Sequence, residues 1–439
     1  MTDAGVAART RMPIADQATW APADDRPDPV ALLEEQATTR SADLIPIRYG
    51  RMAASPFAFY RGAALPMAAD LAAGPDSGVA VQLCGDAHLS NFGLFASPER
   101  TLLFDVNDFD ETLTGPFEWD VKRLAASIVV AGRSRGFDHR VNRSAAQRAI
   151  QTYREKMNAF GQMRATDVFY SVVDTADIES FVDDRARPMI ESTIKSAAHH
   201  DALHELSKLT TVRDGVRTIV DRPPVVVHRP EVTLKLLDAF IARYRSTLQE
   251  DRRVLLDRYE LVDGAMKVVG VGSVGLGAYI ALFDRGTGDD PLFLQIKEAQ
   301  ASVLERFLGP SHAPNHGARV VAGQRQLQAQ SDVFLGYVGG VEGRDWYIRQ
   351  LQDEKASAVV DAMTTDDLAA WGGLCGWALA RGHARSGEPA TIAGYLGSDG
   401  AFDDAVSKFA ESYADQTERD YGAFMAAIKS HRIEAVTGG

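Results

Sequence analysis

The chain has 439 residues, of which 45% are apolar and 24% are charged, a balance typical of globular proteins that excludes disordered, collagen-like and coiled-coil classes. Acidic residues outnumber basic ones by 60 to 47, and the formal net charge of −13 disfavours nucleic acid and membrane surfaces as the main partner. Two cysteines far apart in the sequence indicate neither a disulfide framework nor a zinc site, so we expect a soluble cytoplasmic protein of two or three domain-sized units.

The first part of the chain mixes polar segments with short apolar ones. We expect residues 1–28, which have no apolar core, to form a flexible tail, and residues 29–39 to form a short helix. Residues 51–62 are aromatic and basic and are predicted to form a loop or a loop with a helix. Strands are predicted at residues 79–83 and 102–106. Because a turn precedes the second strand, we expect the two strands to form a hairpin around the sequence GDAHLSNFG.

Helical periodicity predominates up to residue 256, and the pattern then changes to that of strands. The predicted elements of this second region are strands at residues 259–262, 267–271, 277–283, 292–296, 333–338 and 346–351, an Asp263-Gly264 turn after the first strand, and a helix at residues 319–330. They indicate a small α+β unit with an antiparallel meander. Beyond residue 353 the chain is predicted to be helical to its end.

The first chemical motif follows the first predicted strand. Asp86 and Asn91 are separated by four residues, and Asp108 begins an Asp-Phe-Asp run further along the chain. Kinase-type phosphotransferases place a catalytic base and a Mg²⁺-binding asparagine at this spacing, with a Mg²⁺-binding aspartate in a later Asp-Phe-Gly turn. We therefore interpret Asp86 as the base and Asn91 and Asp108 as metal ligands, although turn-forming residues that cap hairpins are the alternative. Asp105 and Asp110 are candidates for a second carboxylate ligand.

The second motif is rich in glycine. Gly270, Gly272 and Gly275 form a G-x-G-x-x-G pattern around Ser273, in which backbone amides can approach phosphate oxygens. A Rossmann turn would run into a helix, whereas this one runs into two predicted strands. The second of these strands ends at Lys297, where kinase-like folds keep the lysine that binds the α and β phosphates. The alternative is a glycine-bulged hairpin with a surface lysine.

Two features near these motifs stay open. Kinases hold the lysine with an acidic residue on the following helix, but the helix predicted after Lys297 offers Gln324 and Gln328. Asp120 begins an Ala-rich helix and is either a helix cap or, as in a similar run of aminoglycoside phosphotransferases, an aspartate buried under the catalytic loop.

The two motifs occur in the reverse of the usual kinase order, in which the small lobe comes first. A rotated chain restores that order, and circular permutation is tolerated where termini lie close together on the surface. We therefore predict an α+β, kinase-like two-lobe fold that is circularly permuted. Its large helical lobe would comprise residues 29–256 and 356–439, and its small nucleotide-binding lobe residues 257–355.

The chain as a whole resembles an uncharacterised bacterial family, domain of unknown function 2252. The resemblance spans about residues 30–430 and rests on the sequences RMAASPFAFYRG, GDAHLSNFG, FDVNDFDET, GPFEWDVKRLAAS, VGVGSVG, FLQIKEA, GQRQLQAQSD, WALARGHARSG and YADQTERDY. Because that family is similar to kinase-like phosphotransferases, the resemblance implies their fold. It also implies an active-site set comprising Asp86, Asn91, Asp108 and Lys297, but no known substrate.

We therefore expect an ATP- and Mg²⁺-dependent phosphotransferase that acts on a hydroxyl group, of a small molecule rather than of a protein. Three alternatives stay open: a catalytically inactive nucleotide-binding module, a nucleotidyltransferase on the same fold, and a metal-dependent phosphohydrolase whose ligands would be Asp86, His88, Asp105 and Asp108. Arg51 and Arg61 are candidates either for binding an anionic substrate or for structural ion pairs. The acceptor and the oligomeric state stay open.

Overall fold

The computed structural model describes residues 3–199, 208–213, 216–268, 270, 272, 274–286, 290–351 and 355–436. Within these residues the protein is mixed α+β, with a helical unit formed by both ends of the chain and a six-stranded antiparallel sheet with helices of its own. No helix in this part of the chain is both long and apolar enough to cross a membrane.

The helical unit begins with short helices, continues with four short strands and then becomes helical again. Its first helices are α1 (Asp3–Arg11), α2 (Pro29–Ala37), α3 (Ile45–Met52), α4 (Pro56–Gly62) and α5 (Ala64–Ala72). The strands are β1 (Ala80–Leu83), β2 (Phe92–Ala96), β3 (Leu102–Val106) and β4 (Leu113–Pro116). The helices that follow are α6 (Phe117–Ser134), α7 (His139–Phe160), α8 (Ala165–Tyr170), α9 (Thr175–Phe181) and α10 (Arg187–His199).

The sheet unit comes next, and three helices then complete the helical unit. The sheet unit contains β5 (Thr210–Arg213), β6 (Val216–Ile219), β7 (Val226–Val227), α11 (Leu234–Arg245), α12 (Glu250–Leu256), β8 (Glu260–Lys267), β9 (Ala278–Asp284), β10 (Pro291–Ala299), α13 (Glu305–Leu308), α14 (His316–Leu327), β11 (Gly336–Val341) and β12 (Arg344–Gln350). The strand order of the six-stranded sheet is β11-β12-β10-β9-β8-β7. The last helices are α15 (Thr365–Ser386), α16 (Pro389–Leu396) and α17 (Ala401–Lys429).

The core of the helical unit packs closely because its central helices carry small residues. Residues 117–132 of α6 are all buried, including the charged residues Glu118, Asp120, Lys122 and Arg123 near its N-terminal end. Helices α7 and α15 approach each other at Gly376, where a Cβ atom would lie only 2.1 Å from the carbonyl oxygen of Ala149. A larger residue at this position would therefore force the two helices apart.

The four short strands form two separate antiparallel pairs, β1 with β4 and β2 with β3. The predicted hairpin between residues 79–83 and 102–106 is therefore wrong, because β2 intervenes. All residues of β2 are buried, so this strand lacks the alternation of polar and apolar residues by which strands are recognised. The pairing brings the β1–β2 loop beside the β3–β4 loop, where the amide of Asn107 donates to the carbonyl of Asn91 at 2.8 Å.

The predicted turn at Asp263-Gly264 is also wrong, because β8 runs through these residues with a bulge between Leu261 and Asp263. Gly264 is needed for packing, since a Cβ atom there would lie 2.4 Å from Leu237 Cδ2 on α11. An Asp-Gly dipeptide usually indicates a turn, but here its glycine allows the close approach between α11 and β8. Of the strand predicted at residues 267–271, residues 269 and 271 lie outside the described part.

The sheet unit starts earlier in the chain than the predicted boundary at residue 257. Helices α11 and α12, which that boundary assigned to the large lobe, cover one face of the sheet with apolar residues such as Leu237 and Ile241. The hydroxyl of Tyr244 donates to the carbonyl of Phe334 and ties α11 to the chain before β11. An amphipathic helix shows which of its faces is buried, but not which unit buries it.

The N-terminal residues, predicted to be a flexible tail, are folded against the helical unit. Helix α1 packs on α16, and the 3₁₀ helix Ile14–Ala18 packs on α17. Gln17 is fully buried and donates from Nε2 to the Tyr395 hydroxyl at 2.7 Å. These contacts join residues that are distant in sequence, which is why local composition does not predict them.

Candidate active site

The β1–β2 loop, residues 84–91, is held by the first turn of α6. Asp120 accepts hydrogen bonds from the backbone amides of Cys84, at 2.8 Å, and Gly85, at 3.0 Å. Of the two roles predicted for Asp120, the structure shows the one in which the residue supports this loop. Asp120 does not cap α6, because the N-cap position belongs to Pro116. Buried amides need such acceptors, so Asp120 fixes the path of the loop.

Asp86 and Asn91 lie close together in this loop. Asn91 Nδ2 donates to the carbonyl oxygen of Asp86 at 2.8 Å. The carboxylate of Asp86 forms an ion pair with Arg123, whose Nε and Nη2 lie 2.8 Å and 2.7 Å from Oδ1. Arg123 is one turn after Asp120 on α6, so the same helix face holds both the backbone and the side chain of the loop. Burial raises the pKa of Asp86, and the ion pair with Arg123 offsets part of this rise.

The surroundings of Asp86 extend to α4 and to a histidine. The guanidinium of Arg123 lies 4.0 Å from the centre of the Tyr60 ring and donates from Nη2 to the Tyr60 carbonyl at 2.8 Å. His88 Nε2 lies 3.6 Å from Asp86 Oδ2. Burial, together with the positive charges of Arg61 and Arg123, lowers the pKa of His88 well below its usual range. The imidazole is therefore neutral at pH 7.

The β3–β4 loop brings the Asp-Phe-Asp run to the sheet unit. Lys297 on β10 donates from Nζ to Asp110 Oδ2 at 2.9 Å, and the Tyr347 hydroxyl on β12 donates to Asp110 Oδ1 at 2.6 Å. Burial alone would raise the pKa of Asp110, but Lys297 and Tyr347 lower it to about 2. Asp110 in turn raises the pKa of Lys297 against the effect of burial. Both groups are therefore charged at pH 7.

Helix α14 does not supply the partner of Lys297. Gln324 donates to Gln328 at 2.8 Å, and Gln328 donates to the backbone of β3. The helix instead uses Arg319, which donates from Nη2 to the carbonyl oxygen of Asp110 at 2.8 Å. The helix thus fixes the backbone of the loop, and the loop supplies the carboxylate that pairs with the lysine.

Asp105 faces away from these residues, towards α15. Its Oδ2 accepts hydrogen bonds from Arg381 Nη2 at 2.6 Å and from the amide of Ala329 at 2.7 Å. The side chains of Arg381 and Asp105 are 0% and 1% exposed. The prediction that Asp105 is a metal ligand is corrected accordingly, because this carboxylate is the anion of an ion pair in the core.

A cavity of about 60 Å³ lies where the two loops and the glycine-rich loop meet. The predicted site residues that line it are Asp86, Asn91, Asp108, Asp110 and Gly272. Lys297 joins this group through its contact with Asp110. The structure therefore brings the predicted base, three of the four predicted metal ligands and part of the predicted phosphate-binding set to one cleft, which comprises this cavity and Lys297.

The glycine-rich loop, between β8 and β9, rests on the N-terminal helices. Arg51 Nη1 donates to the carbonyl oxygen of Gly270 at 2.6 Å, and the backbone amide of Ser41 donates to the carbonyl oxygen of Gly275 at 2.8 Å. Gly270 and Gly275 have φ values of +67° and +93°, which other residues rarely adopt. Ser273, also predicted as a phosphate ligand, lies outside the described residues.

Three arginines also line the small cavity, and two of them, Arg40 and Arg48, belong to no predicted motif. Arg48 is fully buried and donates from Nη2 to Gln36 and to the Gly62 carbonyl, both at 2.9 Å. Burial and the nearby charge of Arg40 lower the pKa of Arg48 to about 9. The third arginine, Arg61, lies in the basic and aromatic segment whose composition is the sequence signal for this part of the site.

The cavity residues suit Mg²⁺ when phosphates complete its coordination. This ion prefers oxygen ligands and is usually bound by one or two carboxylates together with substrate phosphates and water. Asn91 and Asp108 bring an amide oxygen and a carboxylate to the cavity. Among the described residues, no group of three His, Cys, Asp or Glu side chains could hold a metal ion by itself. A metal at this site would therefore depend on its phosphate ligands.

The comparisons with known proteins identify a family but no characterised relative. No curated protein and no solved structure is significantly similar to the chain. The sequence profile of the family described as "Uncharacterized protein conserved in bacteria (DUF2252)" matches residues 40–427, which include both loops of the cavity, the glycine-rich loop and Lys297. This match confirms the resemblance predicted from the motifs. The chain therefore belongs to this family of uncharacterised proteins conserved in bacteria.

Proposed function

We propose that the protein is an ATP- and Mg²⁺-dependent phosphotransferase with a circularly permuted, kinase-like fold. The observation that carries the proposal is the convergence, in one cleft, of Asp86, Asn91, Asp108, Gly272 and the Lys297–Asp110 pair. These residues come from separate segments of the chain, and in kinases the same residue types act as base, metal ligands and phosphate ligands. If these aspartates and the asparagine only capped hairpins, we would not expect them to lie together beside a lysine from another sheet.

The order of the elements supports the permuted fold. In kinases the lysine lies on the third strand, after the glycine-rich loop and before a helix. Here the glycine-rich loop joins β8 to β9, Lys297 lies on β10, and α14 precedes β11. Helix α15 would precede the catalytic loop in the unpermuted order, and it packs on β1 and donates from Trp371 Nε1 to the carbonyl of Leu89 at 3.3 Å.

Each residue of the cleft then has a role in phosphoryl transfer. Asp86 accepts the proton of the acceptor hydroxyl, and because Arg123 occupies its Oδ1, Oδ2 is the oxygen that takes the proton. Asn91 and Asp108 hold Mg²⁺, which when bound neutralises charge on the phosphates. Lys297 and the amides of the glycine-rich loop bind and orient the phosphates.

A second candidate is a nucleotide-binding module without turnover. The observation that favours it is that α14 supplies Gln324 and Gln328, and among the described residues no carboxylate of this helix pairs with Lys297, whose partner is Asp110 of the β3–β4 loop. Nucleotidyl transfer on the same fold remains an alternative. The metal-dependent phosphohydrolase is less favoured, because Asp105, one of its required ligands, is paired with Arg381.

Titration calorimetry with Mg²⁺·ATP tests the proposal. We expect the wild type to bind and Asp108→Asn to bind at least about tenfold more weakly, because a charged metal ligand is lost. Asp257→Asn, an exposed carboxylate that follows α12, is the matched control and should bind normally. Equal affinity of Asp108→Asn and wild type, or no binding by the wild type, contradicts the proposal. Transfer of the γ-phosphate to any of a panel of hydroxyl compounds distinguishes the enzyme from the inactive module.

A further inference from the structure

A second, larger cavity adjoins the β1–β2 loop. Its volume is about 710 Å³, and it is lined by residues of α3 and α4, residues 358–361 and Ser90. Arg61 lines this cavity and also the small cavity that contains Asp86. The two spaces therefore meet at Arg61, beside the proposed base.

Arg61 is a half-buried cation without an ion-pair partner among the described residues. Within the described part of the chain, its Nε is buried and has no hydrogen-bond partner, and its guanidinium forms no ion pair. Burial lowers the pKa of Arg61, while the more distant charges of Asp86, Asp361 and Asp108 oppose this effect. A partly buried guanidinium without a paired anion is unfavourable. The missing anion is therefore expected to come from a ligand.

Two neighbouring arginines extend the positive surface around Arg61. Arg48 is fully buried in the wall of the small cavity, and within the described residues its Nε and Nη1 have no hydrogen-bond partner. Arg51 lines the larger cavity and uses Nη1 for the carbonyl of Gly270. The larger cavity is lined by two arginines, Arg51 and Arg61, and by one carboxylate, Asp361, so the charged side chains in its wall favour an anionic ligand.

The arginines that would bind this anion belong to a different part of the chain from the residues that would bind the nucleotide. In the proposed function, Lys297 and the glycine-rich loop bind the phosphates of ATP from the sheet unit. Arg51 and Arg61 belong to α3 and α4 and share the larger cavity with Ser90, which lies in the loop that carries Asp86. An acceptor must reach Asp86, which lines the small cavity, and the larger cavity adjoins that space at their shared wall residue Arg61.

We propose, on the basis of the phosphotransferase function above, that the acceptor is a small hydroxyl compound with an anionic group, a phosphate or a carboxylate. It binds in the larger cavity with its anion against Arg61 and Arg51, since a planar guanidinium group can bind two oxygens of either anion at once. The acceptor oxygen then bonds to the γ-phosphorus, the bond between that phosphorus and the β,γ-bridging oxygen breaks, and ADP leaves. The hydroxyl proton passes to Asp86 and from there to water.

Inorganic phosphate is the probe for the anion site, and Mg²⁺·ATP is the probe for the nucleotide site. In calorimetric titrations we expect the wild type to bind phosphate and Arg61→Gln to bind it at least about tenfold more weakly, because a charge-assisted hydrogen bond is lost. Arg61→Gln should weaken the binding of phosphate by a larger factor than the binding of Mg²⁺·ATP, because in the proposed function the ATP phosphates are also held by Lys297 and the glycine-rich loop. Arg185→Gln, whose arginine is 79% exposed, is the control and should bind both probes normally. Acetate in place of phosphate distinguishes a carboxylate site from a phosphate site.

Thermal unfolding distinguishes a binding role for Arg61 from a structural one. Because Arg61 has no partner in the ligand-free protein, Arg61→Gln should unfold at the wild-type temperature or above it. An arginine that only stabilised the fold would give a lower unfolding temperature and unchanged phosphate binding, and that result overturns the proposal. In a transfer assay, glycerol 3-phosphate should be a better acceptor than glycerol, and the reverse preference also overturns it.

The two proposals fail in different ways. If phosphate binding depends on Arg61 but Mg²⁺·ATP does not bind, the phosphotransferase function fails and the anion site stands. If Mg²⁺·ATP binds through Asp108 and phosphate binds equally well to Arg61→Gln, the anionic acceptor is overturned and the phosphotransferase function stands.

Discussion

The core of the helical unit and the cleft beside it each contain a buried carboxylate from the same stretch of chain. In the core, Asp105 pairs with Arg381 at 2.6 Å, and the two side chains are 1% and 0% exposed. In the cleft, Asp110 pairs with Lys297 at 2.9 Å, and the two side chains are 23% and 6% exposed. Asp105 also accepts a backbone amide and faces packed helices, whereas Asp110 lines a cavity.

The comparison shows that an ion pair becomes a candidate for function through what surrounds it. The core pair is fully buried, so its effect is on stability. The cleft pair lies beside Asp86 and Asp108 and near the glycine-rich loop, and in the proposed function its lysine binds a phosphate. Buried ion pairs contribute little to stability as such but are costly to break, and this asymmetry makes the two pairs experimentally distinguishable.

The largest effect is expected from breaking the core pair. Asp105→Ala leaves the fully buried guanidinium of Arg381 without its anion, which should lower the free energy of unfolding by about 3–5 kcal/mol. Urea denaturation followed by circular dichroism measures this change. Asp105→Leu combined with Arg381→Leu removes both charges and should recover much of the loss. A loss below about 1 kcal/mol for Asp105→Ala would mean that the core pair contributes no more to stability than an exposed ion pair does.

Breaking the cleft pair should affect binding more than stability. Lys297→Met removes the proposed phosphate ligand, so we expect affinity for Mg²⁺·ATP to fall at least about tenfold. The unfolding free energy should fall by less than in Asp105→Ala, because Asp110 keeps its bond to Tyr347 and is partly exposed. Lys408→Met, an exposed lysine on α17, is the control in both measurements. A Lys297→Met protein that is as unstable as Asp105→Ala but binds ATP normally would show that the cleft pair contributes to stability and not to binding.

A smaller effect, visible only in its pH dependence, is expected at Glu111. Burial raises the pKa of Glu111 to about 6 from an ordinary value of 4.5. A carboxyl group with a raised pKa favours the folded state below pH 4.5 and loses that contribution as the pH rises through 6. Glu111→Gln should therefore gain stability relative to the wild type between pH 4.5 and about 7. Unfolding temperatures of both proteins across this range measure the gain, and a constant difference would refute it.

The smallest effect is expected at Gly272. A Cβ atom there would lie 3.9 Å from its nearest neighbour, the Arg61 carbonyl oxygen, so Gly272→Ala should not change stability. If a phosphate approaches this backbone closely, the added methyl group should weaken Mg²⁺·ATP binding, by less than Lys297→Met does. Gly422→Ala, on α17 with open space around it, is the control. Unchanged affinity of Gly272→Ala would remove the glycine-rich loop from the proposed phosphate site.

Local signals in the sequence predict much of the fold. The strand at Leu102–Val106 has the predicted bounds, and the strands around Lys297 lie close to their predicted positions. Strand β2 is missed because it is buried along its whole length and so shows no alternation. The Asp263-Gly264 pair is misread because a glycine needed for close packing has the same sequence signature as a turn.

The residues of the cleft are easier to predict than their partners. The spacing of Asp86, Asn91 and Asp108 along the sequence identifies them as a set, because kinases place a base, an asparagine and a metal-binding aspartate at similar intervals. The partners of Asp86 and Asp110 are Arg123 and Lys297, which are distant in sequence, and no local pattern relates such residues. For the same reason the core role of Asp105 could not be distinguished from a metal-binding role before its surroundings were known.

A crystal structure with Mg²⁺ and a non-hydrolysable ATP analogue would show whether the cleft binds the nucleotide. We expect the triphosphate to lie between Gly272 and Lys297 and the metal ion to be bound by Asn91, Asp108 and phosphate oxygens. Lys297 should contact a phosphate, with Asp110 beside it. A nucleotide bound elsewhere, or a metal ion that does not contact Asn91 and Asp108, would refute the phosphotransferase proposal.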